Sequence, residues 1–312
     1  MKVVIDTLGS DNKLNDILDG VVDVLNEVKD YDVVLVGEEN YIKNYLNGKT
    51  DFNRIEIIDA NDEVNDLTNP MGMLRDLDDT ALVKALKRTK EEDSIGLITC
   101  SNTGCVFVGS IMHIGLVSKK LMAPVLCCLL KSDKYKDICL SDCGANINST
   151  SENLLIYAKL ANAFVMSYFN INRPKIALLS NGSSDKKGDN VIKGANKLLR
   201  ESDLNFIGNI EANNIFNQDI DVLVTDGMLG NVVLKNSEGV AKTIMNMTKD
   251  QKMKDEITKY FDYSNLGGSF FLGTKKMIIK THGNISKTTV LSVFKRLITL
   301  YENNFISKIE NI

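Results

Sequence analysis

Short runs of consecutive apolar residues alternate with longer stretches in which apolar positions recur every three or four residues. Such runs are typical of strands buried on both faces, and the recurring positions are typical of helices with one buried face. The predicted strands cover residues 3–5, 33–36, 55–58, 95–99, 125–130, 138–140, 176–179, 206–207 and 222–224. The pattern therefore predicts an α/β protein with a mostly parallel sheet and helices on both faces.

The helical periodicity is strongest in three segments. Residues 16–28 and residues 74–90 each predict a helix with one apolar face. Ser149 and Glu152 have the spacing of a capping box, which predicts a third helix that starts there and extends to Tyr168.

Composition and charge narrow the class of protein. The chain has 312 residues, of which 44% are apolar and 25% charged, as in ordinary globular proteins. No repeat or Pro/Gly-rich linker divides residues 1–312, which predicts a single catalytic unit of two intimately joined lobes without a boundary that composition can place. The net charge of -4 argues against nucleic acid as a partner, because phosphate backbones attract basic surfaces.

Cysteine and histidine usage bears on location and cofactors. None of the six cysteines forms a Cys-x-x-Cys pair, and most lie in apolar stretches, which predicts reduced, buried thiols of a cytoplasmic protein. Neither a signal peptide nor an apolar run of about 18 residues is visible. Because only His113 and His282 occur and no ligand spacing appears, we expect neither a metal nor another cofactor.

Polar turns that contain glycine follow five of the predicted strands. They cover residues 6–11, 101–104, 141–146, 180–188 and 225–231. Each turn alone is weak evidence, because Gly and Asn are common wherever the backbone turns tightly. In parallel α/β sheets, however, ligands bind beyond the carboxyl ends of the strands, and free amides beside glycine attract anions. Five such turns at one edge predict a site that handles a phosphate group.

Several familiar motifs are missing, which disfavours an NTPase, a dinucleotide-binding enzyme and an α/β-hydrolase. There is no Gly-x-Gly-x-x-Gly after the first strand and no Gly-x-Ser-x-Gly elbow. Residues 268–275 resemble a phosphate-binding loop with its Lys and Thr in the wrong order, so we interpret them as a turn-rich connector. His282 lies on a turn after an apolar pair and is either a site residue or a structural histidine, whereas His113 lies in an apolar stretch and is interpreted as helix packing.

Taken in order, these motifs resemble the bacterial phosphate acyltransferase family, the acyl-acyl-carrier-protein:phosphate transacylases. The similarity extends from Met1 to about Val290. Its most specific segments are residues 101–104, 142–146, 205–209, 226–235, 238–239, 263–268 and 280–283.

The resemblance implies a fold related to the isocitrate and isopropylmalate dehydrogenases and to phosphotransacetylase. It implies a cytoplasmic homodimer that associates with the membrane surface. The implied reaction converts acyl carrier protein bearing a long acyl chain and inorganic phosphate into acyl phosphate for phospholipid synthesis, with acyl carrier protein released.

The chain differs from the family pattern at several positions. Ser10 replaces the second glycine of the family's first loop, and residues 76–78 are Asp-Leu-Asp where the family has a basic run after Pro70 and Arg75. Residues 182–185 replace an acidic loop. The stretch 240–263, which the family uses as a helical pair for membrane docking, is shorter, and residues 249–259 are mostly charged.

The chemistry of the implied reaction assigns hypothetical roles to the candidate residues. Phosphate is already a nucleophile and thiolate is a good leaving group, so the enzyme mainly has to position phosphate and stabilise an oxyanion. We expect Lys187 to stabilise charge, His282 to carry a proton and Asn231 to act beside them. The substrate and phosphate candidates are Asp6, Gly9, Asn102, Thr103, Gly104, Asp142, Gly144, Asn146, Asn181, Asp226 and Gly230.

Three alternatives stay open at the level of sequence. An enzyme of the same fold could use a short acyl-CoA, and a non-catalytic relative could bind ligand without turnover. The third alternative is an acyl-cysteine intermediate on Cys100 or Cys105, for which no activating base is evident.

Overall fold

The computed structural model describes residues 1–9, 14–64, 68–74, 77–132, 136–261 and 268–312. The chain divides into two compact units. The first comprises Met1–Val117 with Gly267–Glu302, and the second comprises Ser118–Leu266 with Asn303–Ile312. Each unit is therefore built from two separate stretches of the chain, which explains why no linker composition marks the boundary.

Strands and helices alternate through both units. The strands are β1 (Lys2–Asp6), β2 (Asp32–Gly37), β3 (Ile55–Asp59), β4 (Ser94–Thr99), β5 (Val125–Lys131), β6 (Asp137–Ser141), β7 (Ile176–Leu179), β8 (Phe206–Ile210), β9 (Val222–Val224), β10 (Ser269–Leu272) and β11 (Met277–Lys280). The helices are α1 (Leu14–Glu27), α2 (Glu39–Leu46), α3 (Ala81–Thr89), α4 (Thr103–Gly109), α5 (Ser151–Phe169), α6 (Asn190–Arg200), α7 (Gly227–Met247), α8 (Gln251–Phe261), α9 (Lys287–Glu302) and α10 (Phe305–Ile309).

In the first unit, the strands lie in the order β3-β2-β1-β4-β11-β10. Neighbouring strands are parallel except for β10 and β11, which form an antiparallel hairpin. Helices α1 and α9 pack so closely at Gly20 that an added Cβ there would lie only 2.6 Å from Cβ of Val290. The parallel pairs place the carboxyl ends of β1, β4 and β11 at one edge.

In the second unit, the order is β5-β6-β9-β7-β8. Only β5 and β6 pair in antiparallel fashion among these neighbours. Phe164 of α5 is fully buried and meets Phe305 of α10 edge-on, with 6.2 Å between the ring centroids. Both units thus have mostly parallel strands and packed helices, so the predicted α/β class is confirmed.

Two predicted helix starts are wrong. The helix expected from residue 74 begins at Ala81, because the Thr80 amide and hydroxyl both donate to the Leu77 carbonyl and close a turn before it. The capping box lies one residue beyond the predicted one. Thr150 Oγ1 accepts from the Asn153 amide, and Asn153 Oδ1 accepts from the Thr150 amide.

The connector predicted at residues 268–275 is also wrong in part. It contains β10, whose Phe270 and Phe271 are buried and pair with β11. The flanking glycines suggested a turn, but the apolar run between them is long enough for a strand. His113 lies in a π-helical turn, Ser110–Ile114, with its Nε2 atom buried and without a hydrogen-bond partner.

Candidate active site

Asp6 organises the carboxyl edge of the sheet in the first unit. Its Oδ2 accepts hydrogen bonds from Thr99 Oγ1 and Ser101 Oγ, both at 2.7 Å, and its Oδ1 accepts from the Leu8 amide. Burial raises the pKa of this carboxyl from 3.8 to about 6. Since all three donors belong to the protein, Asp6 holds the loop after β4 in place and has little capacity left for a ligand.

Gly9 occupies a position that would not tolerate a larger residue. Its φ is +79°, and an added Cβ would lie 2.9 Å from Ser101 Oγ. The Gly9 amide donates to Glu63 Oε2 at 3.1 Å. Sequence reasoning named Asp6 and Gly9 as site residues but selected neither Thr99, which ends an apolar strand, nor Ser101, although Ser101 lies in the 101–104 turn that the motifs singled out.

Helix α4 presents its first turn at the same edge. Asn102 caps the helix through Oδ1, which accepts from the Cys105 amide at 3.1 Å. No described residue accepts a hydrogen bond from the amide of Thr103 or Gly104. Gly104 packs against Pro70, since an added Cβ would lie 2.8 Å from Pro70 Cγ. The turn therefore offers two amide donors, which suit an anionic oxygen.

His282 also belongs to this edge of the first unit. Lys280, the last residue of β11, pairs with Thr99, the last residue of β4, and the two strands are parallel. Residues 281–282 therefore leave the sheet at the same edge as residues 100–102. Thr281 is buried, and its Oγ1 lies 3.1 Å from Cys100 Sγ. His282 itself is exposed.

In the second unit, Asp142 plays the same structural part as Asp6. Its Oδ1 accepts from the amides of Gly144 and Ala145, and its Oδ2 accepts from the amide and side chain of Asn146. The side chain is fully buried, and this burial raises the pKa of the carboxyl. Asp142 therefore folds the 142–146 loop around itself.

The first turn of α7 lies directly on that loop. A Cβ added to Gly230 would lie 1.8 Å from the carbonyl oxygen of Asp142, and one added to Gly227 would lie 2.7 Å from that of Asn146. Asp226 caps α7 by accepting from the Leu229 amide at 2.8 Å. Close backbone packing therefore requires the two glycines and places Asn231, whose side chain is exposed, beside Gly144.

A further loop of the second unit carries Lys187. Asn181 Oδ1 accepts from the Gly188 amide at 2.9 Å and closes the loop. The side chain of Lys187 packs over Gly182, where an added Cβ would lie 2.7 Å from Lys187 Cγ. Its ammonium group makes no ion pair or hydrogen bond with any described residue. Asn181 and Asp226 line one cavity of about 390 Å³.

The predicted site residues therefore form two groups, one in each unit. Asp6, Gly9, Asn102, Thr103, Gly104 and His282 lie at the strand ends of the first unit, and Asp142, Gly144, Asn146, Asn181, Lys187, Asp226, Gly230 and Asn231 lie at those of the second. Ser10, Arg75, Asp76 and residues 263–267, which the sequence comparison singled out, lie outside the described residues. In the described part of the chain, no three His, Cys, Asp or Glu side chains could hold a metal ion.

Comparison with known proteins identifies the family. A sequence model of one protein family, described as "Fatty acid synthesis protein", matches residues 1–308 of the chain. The chain belongs to this family. It is 31% identical over 331 residues to a phosphate acyltransferase of Clostridium novyi, with 100% of this chain and 98% of the relative covered. A phosphate acyltransferase of Clostridium tetani is 32% identical over 326 residues, covering 99% and 97%. The family predicted from the motifs is thus confirmed.

Solved structures extend the likeness of the fold. A phosphotransacetylase from Streptococcus pyogenes superposes with a TM-score of 0.67 at 16% identity, covering 97% of this chain and 94% of that one. A putative 4-hydroxythreonine-4-phosphate dehydrogenase from Salmonella typhimurium gives 0.53 at 13% identity, covering 96% and 99%. The predicted relation to phosphotransacetylase and to dehydrogenase folds is confirmed. None of the described helices is long and apolar enough to cross a bilayer.

Proposed function

We propose that this protein transfers an acyl group from a thioester to inorganic phosphate. A phosphate oxygen attacks the thioester carbon, the C–S bond breaks, the thiolate takes up a proton, and an acyl phosphate is released. The observation that carries the proposal is family membership over residues 1–308, together with relatives called phosphate acyltransferases along their whole length. The acyl phosphate feeds phospholipid synthesis.

The polar loops of each unit suit this chemistry. In the first unit, the free amides of Thr103 and Gly104 are suited to phosphate oxygens, and exposed His282 is suited to protonate the leaving thiolate. In the second unit, Lys187 supplies a cation without a described partner, and Asn231 adds a neutral donor beside Gly144. Asp6, Asp142, Asn181 and Asp226 position these loops and do not react themselves.

A covalent cysteine intermediate has little support. Cys100 is 5% exposed and Cys105 is fully buried, and burial raises the pKa of the Cys105 thiol. A thiol of this kind is a poor nucleophile at neutral pH. Direct attack by phosphate therefore remains the simpler route.

We propose that acyl carrier protein is the thioester donor and that the protein acts as a homodimer. The alternative is a short acyl-CoA donor, favoured by the fold similarity to a phosphotransacetylase. An enzyme for CoA thioesters should not depend on the protein scaffold of the carrier, so comparison of palmitoyl-acyl carrier protein with acetyl-CoA separates the two. Sedimentation equilibrium of the purified chain tests the dimer.

The deciding experiment measures release of free carrier protein from palmitoyl-acyl carrier protein with and without inorganic phosphate. We expect release only with phosphate, accompanied by stoichiometric acyl phosphate trapped as the hydroxamate. Release of carrier protein at the same rate without phosphate would indicate a thioesterase instead. No turnover of either donor by a folded protein would point to a non-catalytic relative.

A further inference from the structure

The Lys187 loop, residues 180–189, has little apolar packing to hold it. It connects the end of β7 to the start of α6, and residues 183–187 are all exposed. Hydrophobic burial therefore contributes little to its conformation, and hydrogen bonds have to select one arrangement among many. If Lys187 stabilises charge, its ammonium group has to stay in place, since a displacement of about 1 Å can cost much of the rate. The bonds that fix this loop therefore bear on the reaction.

One buried side chain reaches the loop from β8. Asn209 is 9% exposed, and its Nδ2 donates to the Ser184 carbonyl at 3.0 Å. The same carbonyl accepts from the Lys187 amide at 2.9 Å. A carbonyl oxygen has two lone pairs, so it can accept from both donors at once. Two hydrogen bonds through Ser184 thereby link the Asn209 side chain to the backbone of Lys187.

Asn196 of α6 fixes the orientation of Asn209. Its Nδ2 donates to Asn209 Oδ1 at 2.9 Å, in a fully buried bond, and to Asp185 Oδ1 at 3.1 Å. Because Oδ1 of Asn209 accepts from Asn196, the amide nitrogen of Asn209 is directed to Ser184. Buried amides without partners are costly, so the two side chains have one favourable arrangement.

The position of Asn196 on α6 is one where an apolar residue is expected. The helix buries Ala195, Asn196 and Leu199, and Asn196 is only 3% exposed. An asparagine there adds nothing to apolar burial and has a lower helix propensity than alanine. Polar residues that interrupt the apolar pattern of a core are expected at functional sites. The bonds to Asn209 and Asp185 account for the asparagine.

An ion pair holds the outer side of the loop. Arg200 Nη2 donates to Asp185 Oδ1 at 2.6 Å, and both side chains are about half exposed. This hydrogen bond lowers the pKa of the Asp185 carboxyl, which is therefore charged at neutral pH. Exposed ion pairs are screened by water and contribute little. We therefore expect the buried amides to contribute more than the ion pair to the position of the loop.

We propose that Asn196 and Asn209 are positioning residues for Lys187. Their burial keeps both side chains away from a substrate, and they act through Ser184, whose carbonyl fixes the Lys187 backbone. Without them the loop samples other conformations, and only the fraction with the ammonium group in place reacts. The inference rests on the proposed function, because it takes Lys187 as the group that stabilises charge.

The test combines activity with hydrogen exchange of the loop. Asn209→Ala removes the donor to Ser184, and Asn196→Ala removes the group that orients this donor. In both variants we expect kcat for phosphorolysis of palmitoyl-acyl carrier protein to fall about 5- to 100-fold, with KM nearly unchanged, as for a lost buried hydrogen bond away from the substrate. Deuterium exchange of the 182–188 amides, followed by mass spectrometry, should become faster. Arg200→Met should have smaller effects on both readouts.

A double-mutant cycle separates positioning from a general loss of structure. If the two asparagines act through Lys187, Asn209→Ala combined with Lys187→Met should be no slower than Lys187→Met alone. A merely structural role would give losses that multiply. Asn213→Ala, at an exposed asparagine of the second unit, is the control and should leave kcat and exchange unchanged. Asn196→Ala carries the same cycle should Asn209→Ala fail to fold.

The outcomes distinguish this inference from the proposed function. Losses that multiply in the cycle would overturn the inference, as would unchanged kcat and unchanged loop exchange in both asparagine variants of an active enzyme. If the wild-type protein shows no phosphorolysis while loop exchange still becomes faster in both variants, the proposed function fails, and the positioning of the Lys187 loop by Asn196 and Asn209 is retained.

Discussion

At the scale of single residues, two buried aspartates do similar work in the two units. Asp6 gathers Thr99, Ser101 and Leu8, and Asp142 gathers residues 144–146, so each carboxylate fixes the loop that follows a strand. Acidic side chains are poor direct ligands for phosphate, because like charges repel. Both aspartates instead fix loops that carry neutral donors, which is how aspartate can belong to the proposed phosphate site.

The raised pKa of Asp6 predicts a specific pH dependence of stability. Because the native carboxyl binds its proton up to about pH 6 and the unfolded one only up to 3.8, the free energy of unfolding falls as pH rises between these values. This difference in pKa between the native and unfolded states corresponds to about 3 kcal/mol in the free energy of unfolding. Asp6→Asn has no carboxyl at this position and should not show this loss of stability. The free energy of unfolding of Asp6→Asn relative to wild type should therefore rise from pH 4 to pH 6 and stay constant above pH 6.

Urea denaturation of both proteins between pH 4 and pH 7 measures this difference. Asp30→Asn, at an exposed aspartate, serves as the control and should run parallel to wild type. A constant difference between Asp6→Asn and wild type across the range would contradict the raised pKa.

Lys187 tests the proposed charge stabilisation. Lys187→Met keeps the aliphatic stem that packs over Gly182 and removes the ammonium group. We expect phosphorolysis of palmitoyl-acyl carrier protein to fall by orders of magnitude, since one oxyanion donor typically contributes about 2.7–4 kcal/mol. Lys186→Met, at the exposed neighbouring lysine, should retain activity. Equal activity of the two variants would remove Lys187 from the mechanism.

At the scale of elements, two of the three glycines of α7, Gly230 and Gly239, differ in what surrounds them. Gly230 lies where an added Cβ would meet the Asp142 carbonyl oxygen at 1.8 Å, whereas nothing lies within 4 Å of one added to Gly239. Gly230→Ala should therefore push the first turn off the 142–146 loop, costing about 1–3 kcal/mol of stability and most of the activity. Gly239→Ala should stabilise the helix by roughly 0.5–1 kcal/mol with activity intact.

Thermal unfolding and phosphorolysis measured together on both variants check this pair. If Gly230→Ala were as stable and as active as Gly239→Ala, the close approach of α7 to the loop would not be needed for function.

At the scale of the whole molecule, the end of α7 bears on membrane contact. Val240, Ile244 and Met247 recur at helical spacing and are exposed, Met247 to 81%. Residues 249–259, within the stretch that the family uses for membrane docking, are mostly charged, but these apolar positions lie just before them. We predict that Ile244→Asn with Met247→Asn reduces co-sedimentation with phosphatidylglycerol vesicles severalfold, because the apolar stripe is lost.

Met122→Asn is the matched control, since Met122 is 85% exposed and lies outside α7. Equal loss in the control would show a general effect of surface hydrophobicity. No vesicle binding by the wild-type protein would remove the membrane contact altogether.

Sequence by itself determined the local features of this protein. Continuous apolar runs marked most strands, because a strand covered on both faces has no polar side to display. Glycines and polar residues after those strands marked the loops, and their order marked the family. Helix starts at Ala81 and Ser151 were missed by one or more residues, because several side chains near each start can cap and only packing selects among them.

Only the tertiary structure decided what requires distant residues to meet. The division into two units, the packing of Gly230 on Asp142 and the bond from Ser101 to Asp6 all join separated parts of the chain. Ser101 and Asp6 are 95 residues apart, and nothing in the local pattern encodes that contact. Local propensities act over a few neighbours, whereas such pairings depend on which alternative buries the most surface while satisfying every polar group.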